Sequence, residues 1–140
     1  MKPKFLIISL FSFLFFMTNS SFQQTNVGLK KKWLLIEFQK FTKSELTQKK
    51  AYMDLKRIEK GGTSKMGCNT IFFDVKPKKN KKIVFSGLGS TMMYCDGNMI
   101  LEQEFSAFLP SVNQYQINEH FLILKNSKGE TMKFIAEDWD

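Results

Sequence analysis

Met99-Ile100-Leu101-Glu102-Gln103-Glu104-Phe105-Ser106-Ala107-Phe108-Leu109-Pro110 changes the period of this chain. Leu101, Phe105 and Phe108 recur at i, i+4 and i+7 with Leu109 beside them, and Glu102, Gln103, Glu104 and Ser106 fill the opposite side, which predicts an amphipathic helix over 99–109. Pro110 disfavours helical geometry at Leu109 and stops it. Two carboxylates two residues apart on a helix point in different directions, so Glu102 and Glu104 are expected to be solvated rather than to work as an acid/base pair.

Outside this segment the chain alternates with a period of two. Trp33 to Phe41 places Trp33 and Leu35 on one side and Leu34, Ile36 and Phe38 on the other. Ala51 to Ile58 sets Met53 and Leu55 against Asp54 and Lys56, Gly61-Gly62 marks a turn, and Thr70 to Lys76 is a further strand. Pro77-Lys78-Lys79-Asn80 connects tightly into Lys82 to Phe85, after which Ser86 to Ser90 bends at its glycines. Beyond the helix, Val112 to Ile117, Phe121 to Leu124 and Thr131 to Ala136 form a meander, with Asn118-Glu119 as a two-residue hairpin loop and Asn126 to Gly129 as a longer one. Sequential hairpins broken by one helix define an α+β domain with an antiparallel sheet.

The first residues read as an export leader. Lys2 and Lys4 precede an apolar run from Phe5 to Met17, too short for a membrane span of about 20 residues but suited to a signal core. Small residues at Thr18, Ser20 and Ser21 place cleavage near Ser20, giving a signal peptide at 1–21, a polar to basic lead-in at 22–31 and one domain over 32–137. The alternative is an uncleaved anchor. No cysteine precedes Cys68, which closes the lipoprotein route and leaves a periplasmic or secreted protein as the expectation. Without Lys2 and Lys4 the 21 basic residues fall to 19 against 13 acidic ones, and Arg57 is the only arginine. Export and the lysine bias argue against a nucleic-acid reader, since base and phosphate recognition leans on arginine.

Three ordered runs carry a resemblance: Gly67-Cys68-Asn69, then Thr91-Met92-Met93-Tyr94-Cys95, then Glu102, Phe105 and Leu109 followed by Tyr115. Together they resemble the META domain, the HslJ-like family (DUF306), over about Lys32 to Ile135. The resemblance implies a strongly curved antiparallel sheet of about seven or eight strands, a partly open barrel plugged by the helix. It also implies a non-enzymatic role tied to envelope stress, drug tolerance or secretion. It supplies no catalytic residue and no cofactor. The partner it leaves open is an envelope protein or an apolar ligand, taken by a monomer.

Cys68 and Cys95 are the only cysteines, and in an oxidising compartment an even count points to pairing. A bridge would close a loop of about 28 residues and add roughly 3.5 kcal/mol on the chain-entropy model. The other reading is two buried thiols in adjacent strands. A third groups Cys68 and Cys95 with Met66, Met92, Met93 and Met99 as soft ligands for Cu(I), against which stand the absence of Cys-x-x-Cys spacing and the usual use of strand methionines as core filler.

His120, the only histidine, is expected to be exposed at a strand start, and any Cys/His nucleophile would have to use it. Ser86 to Ser90 lacks the lysine and helix of a phosphate loop. Lys76, Lys78, Lys79, Lys81 and Lys82 form the strongest electrostatic feature. They read either as a solvated hairpin tip that discourages edge pairing or as a weak contact for an anionic membrane surface.

Overall fold

The computed structural model of the chain describes residues 28–97 and 99–139. The expected leader at 1–21 and residues 22–27 of the lead-in lie outside the described residues. Eight strands follow in order: β1 (Lys32–Phe38), β2 (Tyr52–Asp54), β3 (Gly62–Lys65), β4 (Thr70–Pro77), β5 (Ile83–Ser90), β6 (Val112–Asn118), β7 (Phe121–Asn126) and β8 (Thr131–Ala136). They form one sheet in the order β5-β4-β3-β2-β1-β8-β7-β6, antiparallel at every pairing. The sheet curls until its first and last strands meet at one end, where Lys82 bridges Gln114 and the Tyr115 amide donates to the Lys81 carbonyl at 2.9 Å. The antiparallel α+β fold expected from the residues and the partly open barrel implied by the resemblance are what the structure has.

The registers sort the connections into two rims. Residues 38–52, 65–70, 90–112 and 126–131 lie at one end, the upper rim; 54–62, 77–83 and 118–121 lie at the other. The contacts that pin β5 to β6 run from Lys81 and Lys82, at the lower end of β5, to Gln114 and Tyr115 within β6. Helix α2 (Ile100–Phe108), continued by a 3-10 turn at Leu109–Ser111, links β5 to β6 across the upper end. Its inward residues Leu101, Phe105, Phe108 and Leu109 are all buried, as the i, i+4, i+7 spacing requires, and the Phe108 ring meets Phe38 edge-on at 5.3 Å. Inside the curl Trp33, Leu35, Met53, Ile71, Ile83, Leu122, Leu124 and Phe134 are each within 2% of full burial, so side chains fill the interior.

Several local features differ from the sequence reading. Phe38 faces inward with Trp33 and Leu35, because the β1–β8 register slips between Leu35 and Glu37 and a bulge there shifts the pleat by one residue. β5 runs on through Ser90; Gly87, at φ +61, takes up a bulge against β4 instead of ending the strand. Gly62 opens β3 instead of forming a turn, since a Cβ there would collide with the Phe73 ring and approach Leu55 Cδ2 to 2.8 Å. The β6–β7 loop is Glu119-His120, one residue later than expected, with Glu119 at φ +53. A short helix, α1 (Lys43–Gln48), was not foreseen although Thr42-Lys43-Ser44-Glu45 spells a capping box: the Thr42 hydroxyl accepts from the Glu45 amide at 3.3 Å, and the Glu45 carboxylate accepts from the Thr42 amide at 2.7 Å.

Lysines tie the lower end to the C-terminal turn, with Lys32 Nζ 2.6 Å and Lys56 Nζ 3.6 Å from the Glu137 carboxylate. The hydrogen bond from Lys32 holds the Glu137 carboxyl below its ordinary value. That contribution is therefore in place at neutral pH and is lost as acid takes the pH down through the lowered value.

Phe105 is fully buried at the centre of the plug. Phe105→Ala is expected to cost about 3–5 kcal/mol of unfolding free energy in urea denaturation; a loss below about 1 kcal/mol would show that the helix does not plug the barrel.

Candidate functional site

The motif residues converge at the upper rim. Gly67 follows β3 with φ +134, a conformation that side-chain-bearing residues rarely adopt; a Cβ there would meet only the Lys49 side chain, at an ordinary contact distance of 3.9 Å, so backbone geometry and not crowding calls for glycine. The turn made at Gly67 drops Asn69 into the interior, 3% exposed, just before β4.

Asn69 then bonds in four directions. Its backbone amide donates to Glu102 Oε2 at 2.9 Å and its Nδ2 donates to Glu102 Oε1 at 2.8 Å. Its Oδ1 accepts from Thr91 Oγ1 at 3.0 Å and from the Met93 amide at 2.8 Å. Thr91 Oγ1 in turn accepts from the Thr70 amide at 3.0 Å, and the Thr91 amide donates to the Thr70 carbonyl at 3.0 Å. Glu102 is 6% exposed and both its oxygens are engaged, which corrects the expectation that it is solvated. The signal for this was present: Glu102, Phe105 and Leu109 stand at i, i+3 and i+7 and share the inner face of α2.

Cys68 and Cys95 are joined as a disulfide with their Cα atoms 6.2 Å apart, inside the range that bridges span. The pairing, and not two separate thiols, is the state of the chain, and among the described residues no free cysteine occurs. The methionines divide. Met66 is core, but Met92 and Met93 are 97% and 56% exposed, against the expectation that strand methionines fill the core. Thr91 to Cys95 forms no strand. Among the described residues no group of three or more His, Cys, Asp or Glu side chains gathers as a metal cluster.

The other candidates lie at the far end. His120 stacks on Trp139, ring centres 3.5 Å apart, in the lower-rim β6–β7 loop. The length of β7, about 17 Å at 3.4 Å per residue, separates that loop from the upper rim and its disulfide. Lys76 is the last residue but one of β4, and Lys78, Lys79, Lys81 and Lys82 form the exposed β4–β5 tip on the lower rim. None of the five reaches the motif.

Beside the disulfide opens a cleft of about 800 Å³, walled by Lys49, Lys50, Tyr52 and Lys65 on the α1–β3 side and by Met93, Asp96 and Met99 on the other. Met92 and Tyr94, 97% and 94% exposed, flank Met93 in the sequence. The lysine wall was not anticipated, because Lys49 and Lys50 come together with Lys65 only through the β2–β3 pairing.

A profile of the META domain family matches residues 25–139. Among solved structures, the chain is similar to one described as the NMR structure of the protein from Burkholderia xenovorans, at 15% identity and a TM-score of 0.58, covering 77% of this chain and 82% of that one. That likeness bears on fold. No match is found among curated proteins.

Asn69→Ala removes three side-chain hydrogen bonds and leaves part of a buried carboxylate uncompensated. It is expected to cost about 3 kcal/mol in urea denaturation, and a cost below about 0.5 kcal/mol would contradict the network. Reduction of the disulfide, which spans a sequence separation of 27, is expected to lower stability by roughly 3.5 kcal/mol, read as the shift of the urea curve with and without reductant. Coincident curves would deny the bridge a structural role.

Proposed function

Because the chain belongs to the META domain family, we propose that it is an exported, non-enzymatic domain of the cell envelope or secreted fraction, which binds an envelope component through the upper rim of its half-barrel and works under stress. The carrying observation is the exposed Met92-Met93-Tyr94 run, whose middle residue Met93 lines a cleft of about 800 Å³. An exported location is supported by the apolar run from Phe5 to Met17 behind Lys2 and Lys4, and by the disulfide, which persists in oxidising compartments. A binding role is favoured over a catalytic one because the polar groups that gather at the motif bond to one another: Asn69, Thr91 and Glu102 spend their hydrogen bonds on holding the rim. The ligand sits outside the sheet in this reading, since the inner face is occupied by core side chains.

The rival reading, thiol or Cu(I) handling through Cys68 and Cys95, needs thiolates. Joined to each other, the two sulfurs supply none.

A photo-crosslinking side chain at Met93 in the full-length gene product, expressed under heat or antibiotic stress, is expected to give adducts that fractionate with the envelope. The same group at Lys79 on the opposite rim should give none. Equal adducts at both positions, or a full-length chain in the cytosol with both thiols free, would contradict the proposal.

A further inference from the structure

The tip at the upper rim combines three properties that single out one class of surface. Met92 and Tyr94 project almost completely into solvent, 97% and 94% exposed, with Met93 at 56% between them. Isolated exposed apolar residues are ordinary, but three in succession on one loop are not. Their backbone is not loose either: Thr91 is paired with Thr70, the Met93 amide is bound to Asn69 Oδ1, and Cys95 is joined to Cys68. The loop is thus held so that its apolar side chains face outward. Behind it the cleft carries Lys50, exposed, and Lys65, half-buried, against the single carboxylate of Asp96, because the Glu102 oxygens are occupied by Asn69.

We infer that this tip docks on an anionic lipid surface, Met92, Met93 and Tyr94 entering the headgroup–acyl boundary while Lys50 and Lys65 meet the lipid phosphates. This rests on the upper rim being the binding end. The tip is convex, and a convex, unbranched, flexible thioether pair suits a deformable apolar phase, where no preformed pocket is needed to receive it. A tyrosine ring with its hydroxyl outward is the side chain favoured at the membrane–water interface. The charge complements the sign of the surface, each lysine near an anionic bilayer strengthening binding by about five-fold. The lower-rim lysines at the β4–β5 tip point to the other end of the sheet and take no part.

The test is co-sedimentation of the leaderless, disulfide-closed chain with vesicles of phosphatidylcholine alone and with phosphatidylglycerol added. Binding is expected only with the anionic lipid, to weaken in high salt, and to fall at least about ten-fold in the Met92→Ser, Tyr94→Ser double variant. Replacement of Lys79 and Lys81 by Gln should leave it unchanged. A second reading in the unaltered chain avoids any folding defect: nitroxide-labelled lipid should broaden the Met92 and Met93 methyl resonances before those of buried Met53 or Met132. Absence of binding to anionic vesicles, binding abolished by the Lys79 and Lys81 changes but not by the tip changes, or broadening without preference for the tip would each overturn the inference. If vesicles fail to bind while the Met93 crosslinker still captures a protein in the envelope, the lipid surface is wrong and the binding end stands; if both fail, both fall.

Discussion

A carboxylate buried beneath a helix has to be answered by donors, and in this chain the answer comes from one asparagine. Glu102 takes the Asn69 backbone amide on one oxygen and the Asn69 side-chain amide on the other, while the same side chain receives Thr91 and Met93. An ionised group removed from water without such partners costs several kcal/mol, so the pairing is a requirement and not an ornament. It ties together three segments that are separated in sequence: the turn before β4, the exit from β5 and the first turn of α2. All three lie at the upper rim of the curled sheet. The hydrogen bonds hold the helix there, and the apolar stripe of Leu101, Phe105 and Phe108 then has a core to enter.

The disulfide lies alongside this network and spans nearly the same interval, from the residue before Asn69 to the second residue after Met93. Both constraints restrict the same stretch of chain, so their contributions overlap and are not expected to add. Between them they anchor Thr91, Met93 and Cys95 on either side of Met92 and Tyr94, and leave those two side chains free. Ordering that is already in place before binding does not have to be supplied during it. The motif and the exposed tip are in this way parts of one device, the first buried and polar, the second outward and apolar.

The sheet and the helix were legible because both depend on periodicity, which solvent imposes on every buried face: Ile71, Phe73 and Val75 alternate inward along β4, and Leu101, Phe105 and Phe108 line up along α2. What escaped were features decided by single residues or by distant neighbours. The bulge that turns Phe38 inward depends on β8, more than ninety positions away, and no pattern within β1 announces it. Glu102 reads as a solvent-facing residue because charge ordinarily stays in water; its partner is 33 residues distant and becomes visible only once the turn at Gly67 is made. An even cysteine count in an oxidising compartment points to the pairing, whereas the cleft lysines, brought together by strand pairing, leave no local mark.

Native-state hydrogen exchange of the oxidised chain, residue by residue, tests the central role of the Asn69–Glu102 network most directly. If the network holds the rim, the amides of Asn69 and Met93, each donating to a side chain within it, exchange as slowly as the inner strands β1 and β8, while Tyr94 beside them exchanges at the rate of an open loop. Asn69 and Met93 amides that exchange as fast as Tyr94 would show that the rim opens independently of the core and that the buried carboxylate does not hold it.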